Sequence, residues 1–193
     1  MEMFYSIQGE GYYTGTPAFF VRLGGCDVGC HWCDVKESWD PNAHPKMENR
    51  DIVDTVLEAG AEFVVVTGGE PLMHNLDGLT AAFKAEGIFT ALETSGAHPI
   101  SGDWDWICFS PKKFKAPRPE FYDLAHELKV IVYNRHDLEW AEGFADEMND
   151  EAMMYLQPEW DKRDYATPLI LNYIREHTHW SISLQTHKYI GVP

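Results

Sequence analysis

The stretch PAFFVRLGGCDVGCHWCD, residues 17–34, joins an apolar run to a loop that holds three of the chain's four cysteines. Apolar and aromatic residues dominate the first half, as expected of a buried strand, and two glycines end it. Cys26, Cys30 and Cys33 then follow with gaps of three and two residues. This arrangement predicts a strand and a loop, residues 24–39, that presents three thiols at one end of a sheet; we call it the cysteine loop.

Similar short apolar runs recur along the chain, and most of them end abruptly in small or polar residues. They are EFVVVTGGEP (62–71), IFTALETSG (88–96), DWICFSPK (105–112), ELKVIVYN (127–134), AMMYLQPEW (152–160) and WSISLQTHK (180–188). Continuous apolar runs of this kind are typical of strands buried on both faces of a parallel sheet. Only ELKVIVYN lacks a clear polar or glycine motif at its end.

Helical patterns lie between several of these strands, at residues 49–61, 75–87, 137–148 and 165–177. Asp77 is a candidate N-cap of the second helix, and Pro168 predicts that the fourth begins near it. About eight residues separate ETSG from DWICFS, fewer than a βαβ crossover usually needs. We therefore expect an α/β fold: an incomplete, helix-poor parallel (β/α) barrel of about six or seven strands, in one domain over residues 1–193, with its chemistry at the strand C-terminal ends.

Charge and composition exclude some classes of partner. The net charge is −16, from 15 basic and 31 acidic residues, and such a surface repels nucleic-acid phosphates and anionic membranes. No apolar run approaches the roughly 20 residues of a membrane span. The start of the chain lacks the features of a signal peptide. A cytoplasmic protein is expected, and a reducing compartment suits three clustered thiols.

Three thiols at one site allow three interpretations. A zinc site would need a fourth ligand, for which His31 or His44 is available. A cluster with four cysteines would need Cys108, which lies in the apolar run WICF and is expected in the core. In the third interpretation, three thiolates hold three irons of a 4Fe–4S cluster and the fourth iron is open to S-adenosylmethionine (SAM). The spacing after a first strand favours the third.

Two motifs carry a resemblance to the radical SAM superfamily. The first is CDVGCHWC, in which Trp32 is the aromatic residue before the third cysteine, and the second is TGGEP, residues 67–71, at the end of the next strand. The resemblance implies a 4Fe–4S cluster on Cys26, Cys30 and Cys33, which cleaves SAM to a 5′-deoxyadenosyl radical. The two glycines of TGGEP would let backbone carbonyls approach the methionine amino group.

Further motifs narrow the resemblance, which extends from Phe4 to Pro193. The segments FYSIQGEGYYTGTPAFFVRLGGC, CHWCD, ETSG, SPK, LQPEW and LQTHKYIGVP are similar to those of the 7-carboxy-7-deazaguanine synthases. This family of lyases in queuosine and deazapurine biosynthesis converts 6-carboxy-5,6,7,8-tetrahydropterin into 7-carboxy-7-deazaguanine and ammonia. The alternative is an activase of glycyl-radical enzymes, whose protein substrate would leave the pterin-site residues without a purpose.

The residue types suit a pterin substrate. Arg22 could hold a carboxylate through two hydrogen bonds. The two adjacent N–H groups of an aminopyrimidinone ring could be accepted by the Glu10 carboxylate or by the backbone carbonyls of residues 7–9. The complete set of substrate candidates, which includes positions assigned by the resemblance, is Ile7, Gln8, Gly9, Glu10, Arg22, Thr67, His187 and Pro193. His187 could either donate a hydrogen bond to the substrate or only line the wall of the site, and the sequence favours neither role.

The resemblance also implies a SAM site. Lys112 or Ser110 would pair with the methionine carboxylate, and Thr94 and Ser95 would contact the ribose. The complete set of SAM candidates is Trp32, Asp34, Gly69, Thr94, Ser95, Ser110, Pro111, Lys112, Gln157 and Pro158.

One position departs from the family's pattern. Many members follow the third cysteine with Asp-Thr, and that threonine ligates Mg²⁺ beside the substrate. Here Asp34 is followed by Val35, and a valine side chain offers no oxygen to a hard cation. Either Asp34, substrate and water hold the ion, or the enzyme works without it.

The cluster would need an external electron donor, expected to be an acidic flavodoxin or ferredoxin, and the resemblance suggests a homodimer. KKFK, residues 112–115, together with Arg118 forms the one dense basic patch. Lys113 and Lys115 are either a docking site for the donor or solvated neighbours of a SAM-binding Lys112.

Overall fold

A computed structural model describes residues 2–193; Met1, the first residue of the expected domain, lies outside the described residues. Eight strands form one sheet in the order β1 to β8. They are β1 Glu2–Ile7, β2 Pro17–Leu23, β3 Phe63–Gly68, β4 Phe89–Thr94, β5 Trp106–Phe109, β6 Glu127–Val132, β7 Met153–Pro158 and β8 Trp180–Ile182. β1 runs antiparallel to β2 and every later pair is parallel. Within residues 2–193 no pairing joins β8 to β1, so the barrel is incomplete, as predicted.

The helices are short and few. They are α1 Asn49–Glu58, α2 Asp77–Ala85, α3 Glu120–Leu124, α4 His136–Ala145, α5 Arg163–Ile174 and α6 Thr186–Ile190. The four predicted helical patterns correspond to α1, α2, α4 and α5. Residues 95–105, between β4 and β5, contain no helix, as the short connection predicted. Among residues 2–193, none of the helices combines the length and the apolar character that a membrane crossing requires.

The sheet has eight strands, where six or seven were expected. The seven apolar runs form β2 to β8, but β1 was missed because its segment EMFYSI is a half-exposed edge strand without a continuous apolar run. Arg22, expected on the first strand, therefore lies on β2 and is paired in register with Glu2.

Two predicted helix starts were wrong. Asp77 is the first residue of α2 rather than its N-cap, which is Leu76. The Asp77 carboxylate instead accepts the Gly102 N–H at 2.7 Å. Helix α5 begins at Arg163 and contains Pro168. Proline removes one helical hydrogen bond, but Ala166 and Ile170 are fully buried and pack α5 against the sheet.

The two faces of the sheet have different roles. The outer face packs against the helices through the main core. The inner face has a small core of Ala18, Phe20, Phe63, Val65 and Ala91 near the strand N-terminal ends. Because side chains alternate along a strand, the next inward positions toward the C-terminal ends are two residues further on. There the sequence changes from Phe20 to Arg22, from Val65 to Thr67 and from Ala91 to Glu93. The interior thus turns polar where the chemistry was expected.

Candidate active site

A cavity of about 410 Å³ opens at the C-terminal ends of the strands. Nearly all the sequence-predicted site residues line it. They are Ile7, Gln8, Gly9, Glu10, Arg22, Cys26, Cys30, Trp32, Cys33, Asp34, Val35, Thr67, Gly69, Thr94, Ser95, Ser110, Lys112, Gln157, Pro158, His187 and Pro193. Pro111 is the exception, because it is buried beside the cavity without lining it. The fold brings both ends of the chain to one place; the role of each residue remains a prediction.

The cysteine loop is closed at its base by backbone hydrogen bonds. Gly25 N–H donates to Ser38 O at 2.6 Å and Cys26 N–H donates to Trp39 O at 3.2 Å. Within the loop, Cys33 N–H donates to Cys30 O at 3.1 Å. Burial raises the pKa of the Cys26 thiol, and raises that of Cys30 to about 11. These thiols are therefore protonated until a metal centre displaces their protons.

The donor set fits a 4Fe–4S cluster. Three thiols line one cavity, and thiolates are the ligands of such clusters. Within residues 2–193, no three His, Cys, Asp or Glu side chains converge where a single metal ion could bind. A 4Fe–4S cluster does not need such convergence on one point, because each thiolate would bind a different iron atom. His31 instead packs edge-on against Phe114, with 5.4 Å between ring centres, and His44 Nε2 bonds to Glu37 O at 2.9 Å.

The TGGEP loop is fastened to the cysteine loop. Gly69 N–H donates to Leu23 O at 2.9 Å, and Glu70 N–H donates to Gly25 O at 2.8 Å. A Cβ atom on Gly69 would lie 2.2 Å from the oxygen of Gly25, and Gly68 has a φ of +127°. Glycine is therefore required here for close packing of two loops, a reason separate from the expected contact with SAM.

Glu70 organises the loop that follows β4. This carboxylate is 1% exposed. It accepts hydrogen bonds from Thr94 Oγ1 at 2.6 Å, Ser95 N–H at 2.8 Å and Ser95 Oγ at 2.5 Å. Both hydroxyls predicted to meet a ribose are therefore held in fixed orientations by a residue that the sequence interpretation did not assign.

Lys112 lies close to the cysteine loop. Its Nζ donates to both O and Oγ of Ser110 at 2.6 Å and lies 5.9 Å from the centre of the Trp32 ring. Burial lowers the pKa of Lys112. An anionic group entering the cavity would favour the charged ammonium, as expected for the residue that meets a carboxylate.

The other basic residues of the KKFK patch and Arg118 are paired with carboxylates. Lys113 Nζ lies 2.5 Å from Asp137, and Lys115 Nζ lies 2.6 Å from Asp27 in the cysteine loop. Arg118 pairs with Glu120 at 3.2 Å. The patch is thus largely neutralised within the chain, which removes the charge excess on which the docking interpretation depended.

In the same cavity, two carboxylates contact a buried lysine, and an amide side chain donates to each carboxylate. Lys129 Nζ lies 2.6 Å from Glu10 Oε2 and 3.0 Å from Glu93 Oε2. Gln185 donates to Glu10 Oε1 at 2.8 Å and Gln8 donates to Glu93 Oε1 at 2.9 Å. Burial alone would raise the pKa of Glu10, but the charge and hydrogen bond of Lys129 lower it to about 2.

Two substrate candidates, Arg22 and His187, contact residues of the first ten positions of the chain. Arg22 Nη1 lies 2.5 Å from Glu2 Oε1, with its guanidinium above the Phe4 ring at 4.9 Å. His187 packs directly on Gly9, where an added Cβ would lie 2.1 Å from Nδ1. Burial lowers the pKa of His187, so the ring is neutral at physiological pH.

The sequence interpretation missed Glu93, Lys129 and Gln185, all of which line the cavity. A usable signal was present for two of them. Glu93 and Lys129 are charged residues inside otherwise apolar strand segments, FTALET and ELKVIV. Charged groups are buried only when paired, so two opposite charges in buried strands could have been matched to each other.

The residues beside the third cysteine do not fit a Mg²⁺ site. Val35 lines the cavity without a side-chain oxygen. The Asp34 carboxylate lies 2.6 Å from Lys188 Nζ, which also contacts Gln185 Oε1 at 3.3 Å. An ammonium group therefore already occupies the carboxylate that a divalent cation would need.

Comparison with known proteins agrees with this geometry. A family model described as Radical SAM superfamily matches residues 20–109. The 7-carboxy-7-deazaguanine synthase of Flavobacterium psychrophilum is 53% identical over 193 residues, covering 100% of this chain and 91% of that protein. The enzyme of the same name from Escherichia coli is 33% identical over 223 aligned positions, covering 99% and 97%.

A solved structure supports the same relationship. The crystal structure of QueE from Escherichia coli superposes with a TM-score of 0.82 at 32% identity, over 95% of this chain and 91% of that one. The chain therefore belongs to the 7-carboxy-7-deazaguanine synthase family of the radical SAM superfamily.

Proposed function

We propose that this protein is a 7-carboxy-7-deazaguanine synthase, a radical SAM carbon–nitrogen lyase. Its reaction contracts the ring of 6-carboxy-5,6,7,8-tetrahydropterin to give 7-carboxy-7-deazaguanine and ammonia. The product equals the substrate less ammonia, so no net oxidant is consumed. The observation that carries the proposal is one cavity that joins a three-thiol loop to an acidic end built on Glu10 and Glu93.

The substrate would lie between two oppositely charged groups. Arg22 would bind the pterin carboxylate, for which a guanidinium provides paired N–H donors. Glu10 and the backbone of Ile7 to Gly9 would accept the ring N–H groups at the other end. Thr67, His187 and Pro193 would complete the enclosure, which holds the reacting carbon in place and excludes water.

The cofactors follow from family membership, and their ligands are proposed from the geometry. Cys26, Cys30 and Cys33 would hold the 4Fe–4S cluster, while Lys112, with Ser110, would bind the SAM carboxylate. When bound, the cluster supplies one electron and SAM supplies the hydrogen-abstracting group. Trp32, Gly69, Gln157 and Pro158 would form the remaining walls of the SAM site.

We propose that turnover does not depend on Mg²⁺. Two contacts support this proposal: Val35 presents only methyl groups, and Lys188 pairs with Asp34 at 2.6 Å. The Lys188 ammonium contacts both Asp34 Oδ2 and Gln185 Oε1, so its positive charge lies where a cation on Asp34 would have to bind.

An acidic flavodoxin or ferredoxin remains the proposed electron donor, and the family resemblance supports a homodimer. The chain would act as one radical SAM domain in the cytoplasm, where thiols stay reduced. Because Lys113, Lys115 and Arg118 are paired internally, we assign no docking surface to them.

The direct test is anaerobic turnover of the reconstituted protein. SAM, dithionite and 6-carboxytetrahydropterin would be supplied, with products identified by mass spectrometry, in parallel with added Mg²⁺ and with EDTA. We expect 7-carboxy-7-deazaguanine at equal rates in both. Deoxyadenosine without the deazaguanine would reject the substrate and favour the activase alternative. Loss of the product in EDTA alone, restored by Mg²⁺, would contradict only the metal proposal.

A further inference from the structure

Lys129 is an unusual residue in the middle of a buried strand. It lies on the inner face of β6, its side chain is 3% exposed, and it contacts two carboxylates at once. Each carboxylate uses one oxygen for Lys129 and the other for an amide side chain: Gln185 for Glu10 and Gln8 for Glu93. All these side chains line the cavity, so the cluster is built into the site rather than into the distant core.

We propose that Lys129 is a positioning residue that keeps Glu10 and Glu93 ionised and side by side, so that together they accept the N–H donors of the pterin ring. This inference rests on the proposed function and adds two residues, Glu93 and Lys129, to the recognition of its substrate. Lys129 acts through the carboxylates that it holds and need not touch the substrate itself.

Electrostatics explains why a cation is needed here. Two adjacent buried carboxylates repel each other and resist desolvation, so one of them would take up a proton if alone. A protonated carboxyl group presents an O–H donor, which is the wrong partner for a ring N–H. With Lys129 between them, two carboxylates and one ammonium leave a net charge of −1 facing the ring. The pKa of Glu10, lowered to about 2, agrees with this arrangement.

Other titratable groups surround the cluster and must be considered in any pH experiment. On the inner-core side lie Glu127, whose pKa is raised by burial, and the buried thiol of Cys108, 3.5 Å from it. On the cavity side Lys112 acts on Lys129, and His187 is influenced by Glu10. The Lys129 charge also acts on Glu127 and Lys112, so a pH effect in Lys129→Met is assigned to the two carboxylates only by comparison with the same variant lacking the Glu93 carboxylate.

The test compares Lys129→Met, Lys129→Arg and a control, Lys84→Met, which removes a lysine from an exposed ion pair on α2. Steady-state kinetics of the holoenzyme would be measured between about pH 6 and pH 9. We expect Lys129→Met to raise the pterin KM at neutral pH about tenfold, as for loss of a hydrogen bond to a charged group. The increase should shrink as the pH rises and the second carboxylate ionises. The KM for SAM should not change.

Lys129→Arg keeps the charge and should keep the pH dependence of the parent protein, and Lys84→Met should match the parent throughout. A Lys129→Met variant with the parent's pterin KM and pH profile would overturn the proposal. If that variant does not fold, as judged by circular dichroism and iron content, the Lys129→Met/Glu93→Gln double variant takes its place. Removing one carboxylate removes the repulsion, so its pterin KM should depend on pH no more steeply than that of the parent protein.

A steeper pH dependence of the pterin KM in the double variant than in the parent would reject the proposal as well. A parent protein that does not convert the pterin would instead overturn the proposed function and this inference with it. Failure of the inference alone is recognised by full conversion in the parent and unchanged kinetics in Lys129→Met.

Discussion

Gly69 lies where the TGGEP loop and the cysteine loop touch, and no larger residue fits there. We predict that Gly69→Ala displaces the cysteine loop, because the added Cβ would overlap Gly25 O at 2.2 Å and approach Cys26 Cβ at 3.1 Å. Overpacking of this kind costs about 1–3 kcal/mol of folding free energy. The expected result is a lower melting temperature together with less iron bound per chain after reconstitution, measured by thermal unfolding and iron analysis.

Gly143→Ala is the matched control. Gly143 lies inside α4, and an added Cβ there would meet nothing within 4 Å. Alanine in a helix interior is favoured over glycine by about 0.5–1 kcal/mol, so this variant should melt slightly higher and bind iron as the parent does. Normal iron content and a normal melting temperature in Gly69→Ala would show that the two loops are not in the close contact described here.

At the scale of elements, the KKFK segment after β5 holds the cysteine loop in place. Lys112 and Lys115 form an isolated β-bridge. Lys115 Nζ contacts Asp27 at 2.6 Å, His98 Nε2 contacts the other oxygen of Asp27 at 2.9 Å, and Phe114 packs on His31. We therefore infer that the KKFK segment stabilises the position of the cysteine loop through these contacts.

We predict that Lys115→Met weakens the attachment of the KKFK segment to the cysteine loop. The ion pair is partly exposed, so the loss in folding free energy should be about 0.2–1 kcal/mol, with faster loss of the cluster to an iron chelator. The hydrogen bond from Lys115, with His98, lowers the pKa of Asp27 below its ordinary 3.8. A lowered carboxyl pKa stabilises the folded state above the ordinary value, and this stabilisation is lost as the pH falls through the lowered pKa. The difference between parent and variant should therefore shrink as the pH falls below 3.8 and disappear once the pH is below the lowered pKa.

The control is Arg118→Met, since Arg118 pairs only with the nearby Glu120 outside the loop. It should lose its cluster at the parent's rate. Equal rates for Lys115→Met and the parent would show that the cysteine loop is held by its own backbone bonds instead.

Most of the elements could be predicted because their physical signals are local. Buried parallel strands produce continuous apolar runs, and seven of these were read correctly. The edge strand β1 was missed because half-exposed strands lack such runs, and the start of α5 was misplaced because tertiary packing of Ala166 and Ile170 outweighs the effect of Pro168. Within the site, Glu93 and Lys129 are visible as charges in apolar strand segments, but they lie on β4 and β6, which are separated by β5 in the sheet. The local pattern shows each charge, whereas their pairing follows only once the order of the strands is assumed.

At the scale of the whole molecule, the net charge of −16 determines how the stability of the fold depends on salt. Two salt effects oppose each other. Added salt weakens the exposed ion pairs, each worth about 0–1 kcal/mol. It also screens the mutual repulsion of the excess carboxylates, because the Debye length falls to about 10 Å at 0.1 M salt.

We predict that repulsion is the larger effect, so that the melting temperature rises as sodium chloride increases from low to physiological concentration at neutral pH. The pairs lost to screening are mostly single and exposed, such as Lys84 with Asp103 and Arg118 with Glu120, whereas the excess charge is distributed over the whole surface. The buried Lys129 cluster is shielded from mobile ions and should contribute equally at every salt concentration. A melting temperature that falls over this range would show that local pairs, rather than net charge, dominate the surface electrostatics. Repeating the scan on Lys84→Met tests this balance further, since that variant lacks one screened pair and carries one more net negative charge, and both changes should make the rise steeper.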